Sequence, residues 1–294
     1  MRLRYDIVDV FTDRPFAGNQ LAVVHGADDL STQQCLAIAR EFNFSETTFP
    51  SAPTGDEYAT RIFTPATEIP FAGHPTLGTA WVLREHGQLT DDVVTQVCTA
   101  GRIRVQFDRD LVELAAVPRD HAEQLTDEVV TDLLADLGLA ADDLDGRAWV
   151  AGCGLAFVHL PVWSDAVSRA HPMSRSLAEW ADRVPRTRDP LEGVNLFSVS
   201  GSSADLTVRA RVFVPGLSVP EDPATGSAAA GLGVALVAEG LLPQGGAYEI
   251  TQGVEMGRPS LLHGRVEVQN GRASLCTVAG QVQPVASGEI VVPS

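Results

Sequence analysis

Arg61-Ile62-Phe63-Thr64-Pro65 leads into Pro70-Phe71-Ala72-Gly73-His74-Pro75-Thr76-Leu77-Gly78-Thr79-Ala80. Later in the chain, Arg211-Val212-Phe213-Val214-Pro215 leads into Pro220-Glu221-Asp222-Pro223-Ala224-Thr225-Gly226-Ser227-Ala228. Arg, Phe and Pro recur at the same spacing, and read in line the second phrase sets Asp222-Pro223-x-x-Gly226-Ser against His74-Pro75-x-x-Gly78-Thr. Each copy joins a strand-like run to a glycine-punctuated turn that opens a helix, and the free N–H groups at such a start accept anions. The correspondence extends outward. Gly101-Arg102-Ile103-Arg104-Val105-Gln106 is answered by Gly264-Arg265-Val266-Glu267-Val268-Gln269. A long unit present twice indicates two similar domains rather than a solenoid, which stacks three or more short repeats.

The length agrees: 294 residues exceed the size at which single cores stop growing. Hydrophobic residues form 45% of the chain, the ordinary share for a globular protein. A net charge of −17 disfavours nucleic acid and anionic membrane as partners, because both require concentrated positive charge. All 21 basic residues are arginine. Without lysine there is no pyridoxal-phosphate Schiff base, no lysine nucleophile and no P-loop lysine. Cys35, Cys98, Cys153 and Cys276 lack C-x-x-C spacing and read as buried apolar fillers, with no metal knuckle. The first residues lack the apolar core of a signal peptide and no run reaches transmembrane length, so a cytoplasmic protein is expected.

Residues 2–11 read as a strand, and Ser31-Thr32-Gln33-Gln34 as a capping box opening a helix. Asn270-Gly271 is the favoured turn of a β-hairpin. Leu125, Val129, Val130, Leu133, Leu134 and Leu137 form the apolar stripe of a surface helix whose other face is acidic. The two post-turn helices read differently: Thr79–Glu85 is short, whereas Ser227–Glu239 is apolar on every side and so must be surrounded by protein. The expected fold is α/β (α+β), with two pseudo-symmetric domains, each a curled sheet around a central apolar helix. The boundary is placed at 117/118, giving domains 1–117 and 118–281, with 282–294 returning to complete the first.

Chemistry is sought where the copies differ. Glu46 has no acidic counterpart in the second half, where Asn195-Leu196-Phe197 stands in the comparable stretch. Beside Phe42, Phe44 and Phe49 its carboxylate would be partly desolvated, which suits proton transfer at neutral pH. His74 and Asp222, set against each other by the repeat, offer an imidazole and a carboxylate beside one ligand. Thr79 and Ser227 read either as caps or as carboxylate contacts alongside the N–H groups of Gly78 and Gly226. No H-E-x-x-H, G-x-S-x-G or metal-spaced acidic cluster is present. What remains is proton transfer on a small carboxylate without metal or cofactor.

Gly18-Asn19-Gln20, Phe44-Ser45-Glu46-Thr47, Gly73-His74-Pro75-Thr76, Glu221-Asp222-Pro223-Ala224-Thr225-Gly226-Ser227 and Gln252-Gly253 with Met256-Gly257-Arg258-Pro259 resemble the phenazine biosynthesis PhzF-like family over essentially the whole chain. The resemblance implies the diaminopimelate-epimerase-like fold and a homodimer. It also implies isomerisation of the trans-2,3-dihydro-3-hydroxyanthranilate type, in which a glutamate lifts a proton from one ring carbon and returns it to another. Carried over by motif, Glu46 is that shuttle, with His74 and Asp222 as polar helpers. Substrate contacts fall to Ser227, Gly73, Gly78, Gly226, Asn19 and Ser45. The related epimerases use two cysteines at the helix starts, where this chain has none. Two other readings stay open: a one-base epimerase of an amino-acid-like substrate, and a carboxylate-binding or scaffold protein without catalysis.

Overall fold

In a computed structural model of the chain, which describes residues 1–215 and 220–293, the polypeptide divides into two compact units. One is Met1–Leu114 with the stretch from Ala279 onward, and the other is Ala115–Val278. The first contains β1 (Arg2–Val10), β2 (Asn19–Val24), α1 (Thr32–Phe42), β3 (Glu46–Pro50), β4 (Glu57–Phe63), β5 (Glu68–Ile69), α2 (Gly73–Glu85), β6 (Val93–Cys98), β7 (Gly101–Asp108) and β8 (Leu111–Ala116). The second contains β9 (Glu123–Gln124), α3 (Asp127–Asp136), β10 (Trp149–Gly152), β11 (Ala156–Pro161), α4 (Ser164–Arg169), α5 (Leu177–Ala181), β12 (Leu191–Ser200), β13 (Leu206–Phe213), β14 (Glu221–Asp222), α6 (Gly226–Glu239), β15 (Gly246–Gln252), β16 (Ser260–Gln269) and β17 (Arg272–Gly280). A last strand, β18 (Val282–Val291), pairs antiparallel with β1 along its length.

Both units follow one pairing scheme. β1–β2 is antiparallel, β2–β3 parallel, β3–β4 antiparallel, β4–β6 parallel and β6–β7 antiparallel. The same alternation runs through β10–β11, β11–β12, β12–β13, β13–β15 and β15–β16. Against each sheet lies one helix that meets no solvent along most of its length. In α2 the residues from His74 to Ala80 are all buried, and in α6 those from Ala228 to Leu236. A helix apolar all round buries every face only where strands curl about it, and close approach requires small residues. Gly78 and Gly231 meet that need. A Cβ on Gly78 would fall 2.6 Å from Leu21 Cδ2, and one on Gly231 would fall 3.0 Å from the Ala151 carbonyl.

Strand register corrects the alignment drawn from sequence. Phe63 pairs with Glu68 and Ile62 with Ile69; Phe213 pairs with Glu221 and Val212 with Asp222. In each copy the arginine two residues before the phenylalanine grips that glutamate with two hydrogen bonds. The glutamates are therefore the equivalent residues, and the second connection is three residues longer. Pro70 then answers Pro223, Ala72 and Thr225 are the two N-caps, and Gly73 and Gly226 are the two first helical residues. His74 corresponds to Ser227, and Asp222 corresponds to Ile69. The expected symmetry between His74 and Asp222 is thus an artefact of sliding the phrases past an insertion.

Of four local expectations, two are refined and two form as read. The first central helix begins at Gly73, six residues before the expected Thr79, because Pro75 fits the first turn, where its missing N–H has no helical partner to lose. The Ser31 capping box forms as read, with Ser31 Oγ accepting from the Gln34 N–H and Gln34 Oε1 accepting from the Ser31 N–H. The stripe on α3 enters a core built with Val150, Val158, Trp180 and Phe213. Its acidic face is not wholly solvated: Asp136 is buried, accepting from Ser174 Oγ and from Trp180 Nε1 at 3.2 Å. Asn270 and Gly271 have φ of 53° and 73°, the two left-handed residues that a tight hairpin turn demands.

Candidate active site

In the first unit, the parallel edge of β2 and β3 and the start of α2 bring Glu46 and His74 together. Glu46 opens β3 opposite Leu21, and His74 is the second residue of α2. His74 Nε2 lies 3.5 Å from Glu46 Oε2, with side-chain exposures of 6% and 16%. Burial pushes the His74 imidazole down to about 3, against the contrary pull of a hydrogen bond to the Gln20 backbone. The ring is neutral at physiological pH. Beside it Asn19 is buried, and its Oδ1 accepts from Ser45 Oγ at 3.1 Å. Gly18 reaches this corner with φ of 68°, and a Cβ there would strike the Val10 carbonyl at 2.4 Å. No side chain among the described residues caps α2, and Pro75 carries no N–H, so Gly73 and His74 provide the unbonded donors of its first turn.

A stability consequence follows from two such rings. His159, also fully buried, is likewise lowered to about 3 by desolvation. Between that value and the ordinary imidazole range near 6.5 the unfolded chain binds more protons than the folded one, so stability rises with pH across the window and is lost as pH falls through it. Each ring contributes a slope of up to about 1.4 kcal/mol per pH unit. Urea unfolding should therefore show about 2–4 kcal/mol less stability at pH 5 than at pH 7. Equal stability at the two pH values would contradict the buried neutral state of both rings.

In the second unit, Asp222 closes β14 and precedes α6. Its Oδ2 accepts from Thr225 Oγ1 at 2.7 Å. Gln252, itself buried, donates through Nε2 to the Asp222 carbonyl at 2.7 Å and to Thr225 Oγ1 at 3.0 Å. Its Oε1 accepts from the Thr225 N–H at 3.3 Å. Gly253 follows with φ of 75°, where a Cβ would lie 2.6 Å from the Pro223 carbonyl. Thus the Asp222–Thr225 turn is held by one amide and one glycine from the end of β15. The first ladder bond of α6 is made by the Ala229 N–H to the Thr225 carbonyl. Gly226, Ser227 and Ala228 therefore present the unladdered N–H groups of the first turn, and no side chain among the described residues caps them.

The named site residues thus fall into two sets: Asn19, Ser45, Glu46, Gly73 and His74 in the first unit, and Asp222, Gly226 and Ser227 in the second. Gly78 belongs to neither. It is the sixth residue of α2, so its N–H lies inside the helical ladder, and its missing side chain makes room for Leu21 and Val10. Thr79 is not a cap but is buried, its hydroxyl 2.7 Å from that of Thr48. Gln252 and Thr225 are the residues whose roles were missed, although both stand in stretches quoted for the family resemblance. A glutamine's function is invisible until its partners are known. The four cysteines are free; Cys35 and Cys276 are buried as expected, whereas Cys98 and Cys153 are only half-buried. Cys153 and Cys276 nevertheless meet, and this hydrogen bond together with burial pushes the Cys153 thiol up, away from a reactive thiolate.

Comparison with known proteins completes the picture. The family profile described as phenazine biosynthesis-like protein matches residues 8–288. Trans-2,3-dihydro-3-hydroxyanthranilate isomerase of Pseudomonas chlororaphis is 37% identical over 296 residues, covering 98% of this chain and 99% of that protein. Among solved structures, a phenazine biosynthesis protein of the PhzF family from Bacillus anthracis superimposes with a TM-score of 0.83 at 22% identity, over 99% of this chain and 100% of that one. A hydroxyproline epimerase from Agrobacterium vitis shares the fold alone, with a TM-score of 0.63 at 14% identity over 100% of this chain and 93% of that one. The sheet-dominated α/β architecture is therefore the one common to PhzF proteins and these epimerases, as the sequence reading expected. Given a near-complete profile match and a relative of that identity and coverage, the chain belongs to the phenazine biosynthesis-like protein family, and its class is isomerase.

Proposed function

We propose that the chain is a cofactor-independent isomerase that moves a proton on a small cyclic or unsaturated carboxylic acid, of the trans-2,3-dihydro-3-hydroxyanthranilate isomerase type, with Glu46 as the shuttle. The observation that carries this reading is the half-buried Glu46 carboxyl beside a buried, neutral His74. A ring N–H held by the Gln20 backbone leaves Nε2, which has no hydrogen-bond partner among the described residues, as the lone-pair nitrogen facing Glu46. Ionised Glu46 takes the proton from one carbon. The resulting carboxylic acid can donate to Nε2 while the substrate carries the charge, then returns the proton to a second carbon. Such acid–base work is worth roughly 10²–10⁴-fold.

Asp222, fixed by Thr225 and Gln252, is assigned as a polar contact to the substrate, and Ser227 with the Gly226 N–H as a carboxylate contact. A helix start contributes up to about 2 kcal/mol to anion binding. Asn19, Ser45 and Gly73 are assigned to the substrate surroundings in the first unit. The two units are read as the two domains of a duplication. A homodimer and a cytoplasmic setting belong to the same proposal, the latter in keeping with four free cysteines. Among the described residues no helix is long and apolar enough to cross a membrane.

The test is ¹H NMR of trans-2,3-dihydro-3-hydroxyanthranilate with the enzyme in D₂O. Isomerisation with deuterium at the receiving carbon supports the reading. Exchange at a single carbon without migration would instead favour an epimerase, and inertness would remove this substrate in favour of other small carboxylates.

A further inference from the structure

At the far end of α2 from His74 stands a cluster that the isomerase reading leaves unused. Asp6 on β1, His25 one residue beyond β2, and His86 at the C-cap of α2 converge there. Asp6 Oδ2 lies 2.7 Å from His25 Nε2 and 3.3 Å from His86 Nε2. One ligand atom from each of the three residues lies within 4.8 Å of the others. The two imidazoles are stacked, with centroids 5.1 Å apart and planes 19° from parallel. Spaced over eighty positions, these residues form no readable motif in the sequence.

The internal duplication provides a control. Strand register sets Asp6 against Trp149 and His25 against Pro161, and the helix register sets His86 against Glu239. In the second unit that place is filled by an indole and a closed hydrogen-bond set: Trp149 Nε1 and Arg147 Nε both donate to Glu239 Oε2, at 2.8 and 3.0 Å. The same strands and helix thus come together with no imidazole at any of the three equivalent positions, so His25 and His86 are additions to the fold rather than a requirement of it.

We propose that Asp6, His25 and His86 form a binding site for one divalent transition-metal ion of the zinc class. Two imidazoles and one carboxylate are a ligand set that such ions favour, whereas Mg²⁺ and Ca²⁺ prefer oxygen alone. An ion with bonds of about 2.0–2.2 Å in tetrahedral geometry holds its ligand atoms about 3.3 Å apart. The Asp6–His86 separation already has that value, and the shorter Asp6–His25 contact opens when the ion replaces the proton between them. The electrostatics are mixed. Asp6 and the negative end of α2 favour a cation, while Arg4 stands close enough to His25 to oppose added positive charge. His86 keeps 30% of its side chain exposed, which leaves one coordination position open to water.

The experiment uses untagged, chelator-treated full-length protein titrated calorimetrically with Zn²⁺, with Co²⁺ absorption as a second readout. One ion per chain is expected, together with at least tenfold weaker binding and loss of the visible Co²⁺ bands in His86→Gln and in His25→Gln. Because His86 is the exposed member, His86→Gln decides the matter even if His25→Gln disturbs the fold. Absence of binding to the wild type, or binding of unchanged affinity in His86→Gln, overturns the site and leaves the cluster as a set of side-chain contacts between Asp6 and the two rings. The outcome does not depend on the identity of the isomerase substrate.

Discussion

Glu46→Gln is expected to lower kcat by about 10²–10⁴-fold, the usual contribution of a positioned acid–base group, with little change in KM. Glutamine keeps the size of the side chain and removes only its capacity to exchange a proton. The surroundings favour so selective an effect. His74 is neutral, so no ion pair with that ring is broken and no imidazolium is stranded beside the new amide. Strand register places Gly193 at the position equivalent to Glu46, opposite Phe157 as Glu46 is opposite Leu21. The fold evidently builds this strand start without a carboxylate. A variant that remains folded, binds substrate and neither isomerises it nor exchanges its hydrogen with D₂O would assign the shuttle. Activity within threefold of wild type would remove Glu46 from that role and redirect attention to His74 and Asp222.

The repeated phrase disclosed the architecture because both of its ends are dictated by backbone geometry. A β-strand must precede the turn, and a glycine must open a helix that lies against the sheet. The same repeat misaligned the site. Pro220 matches Pro70 by identity, but the pairing of Phe213 with Glu221 and of Phe63 with Glu68 shows that the second connection is longer. Insertions in loops cost little free energy, so loop length drifts between copies while the Arg–Glu grip on the adjoining strands persists. Gly78 was misjudged for a related reason: a glycine that makes room for Leu21 and a glycine that opens a helix look alike in a linear string. Glu46, His74 and Asp222 answer Gly193, Ser227 and Ile69, so each proposed catalytic residue is a point at which the copies depart from one another. The sequence could expose such departures but not their contacts. The Asp222–Thr225–Gln252 hydrogen bonds join residues from two elements and become visible only when those elements are placed.

Breaking the Arg211–Glu221 pair is expected to cost far more than breaking its duplicate, Arg61–Glu68, although the two have nearly the same geometry. Both glutamates accept a bidentate grip at 2.8–2.9 Å, and in both copies the guanidinium carbon lies 4.9 Å from the ring centroid of the phenylalanine two residues on. Burial separates them. Side-chain exposures are 6% and 10% for Arg211 and Glu221, against 36% and 30% for Arg61 and Glu68. Arg211 also donates to the Val167 and Ala170 carbonyls, so Glu221→Gln leaves a cation that is anchored and cannot swing into water. An uncompensated buried charge costs about 3–5 kcal/mol, whereas a pair open to solvent is worth about 0–1 kcal/mol. At about 2–4 °C per kcal/mol for a unit of this size, Glu221→Gln should lower Tm by roughly 10 °C and Glu68→Gln by no more than a few degrees. Replacing both partners, as in Arg211→Met with Glu221→Leu, should recover much of the loss, because the penalty comes from the stranded charge rather than from the absent bond. Equal losses in the two single variants would mean that burial does not set the strength of the grip. Failure of the double variant to recover would mean that the bonds to Val167 and Ala170 are what hold the second copy together.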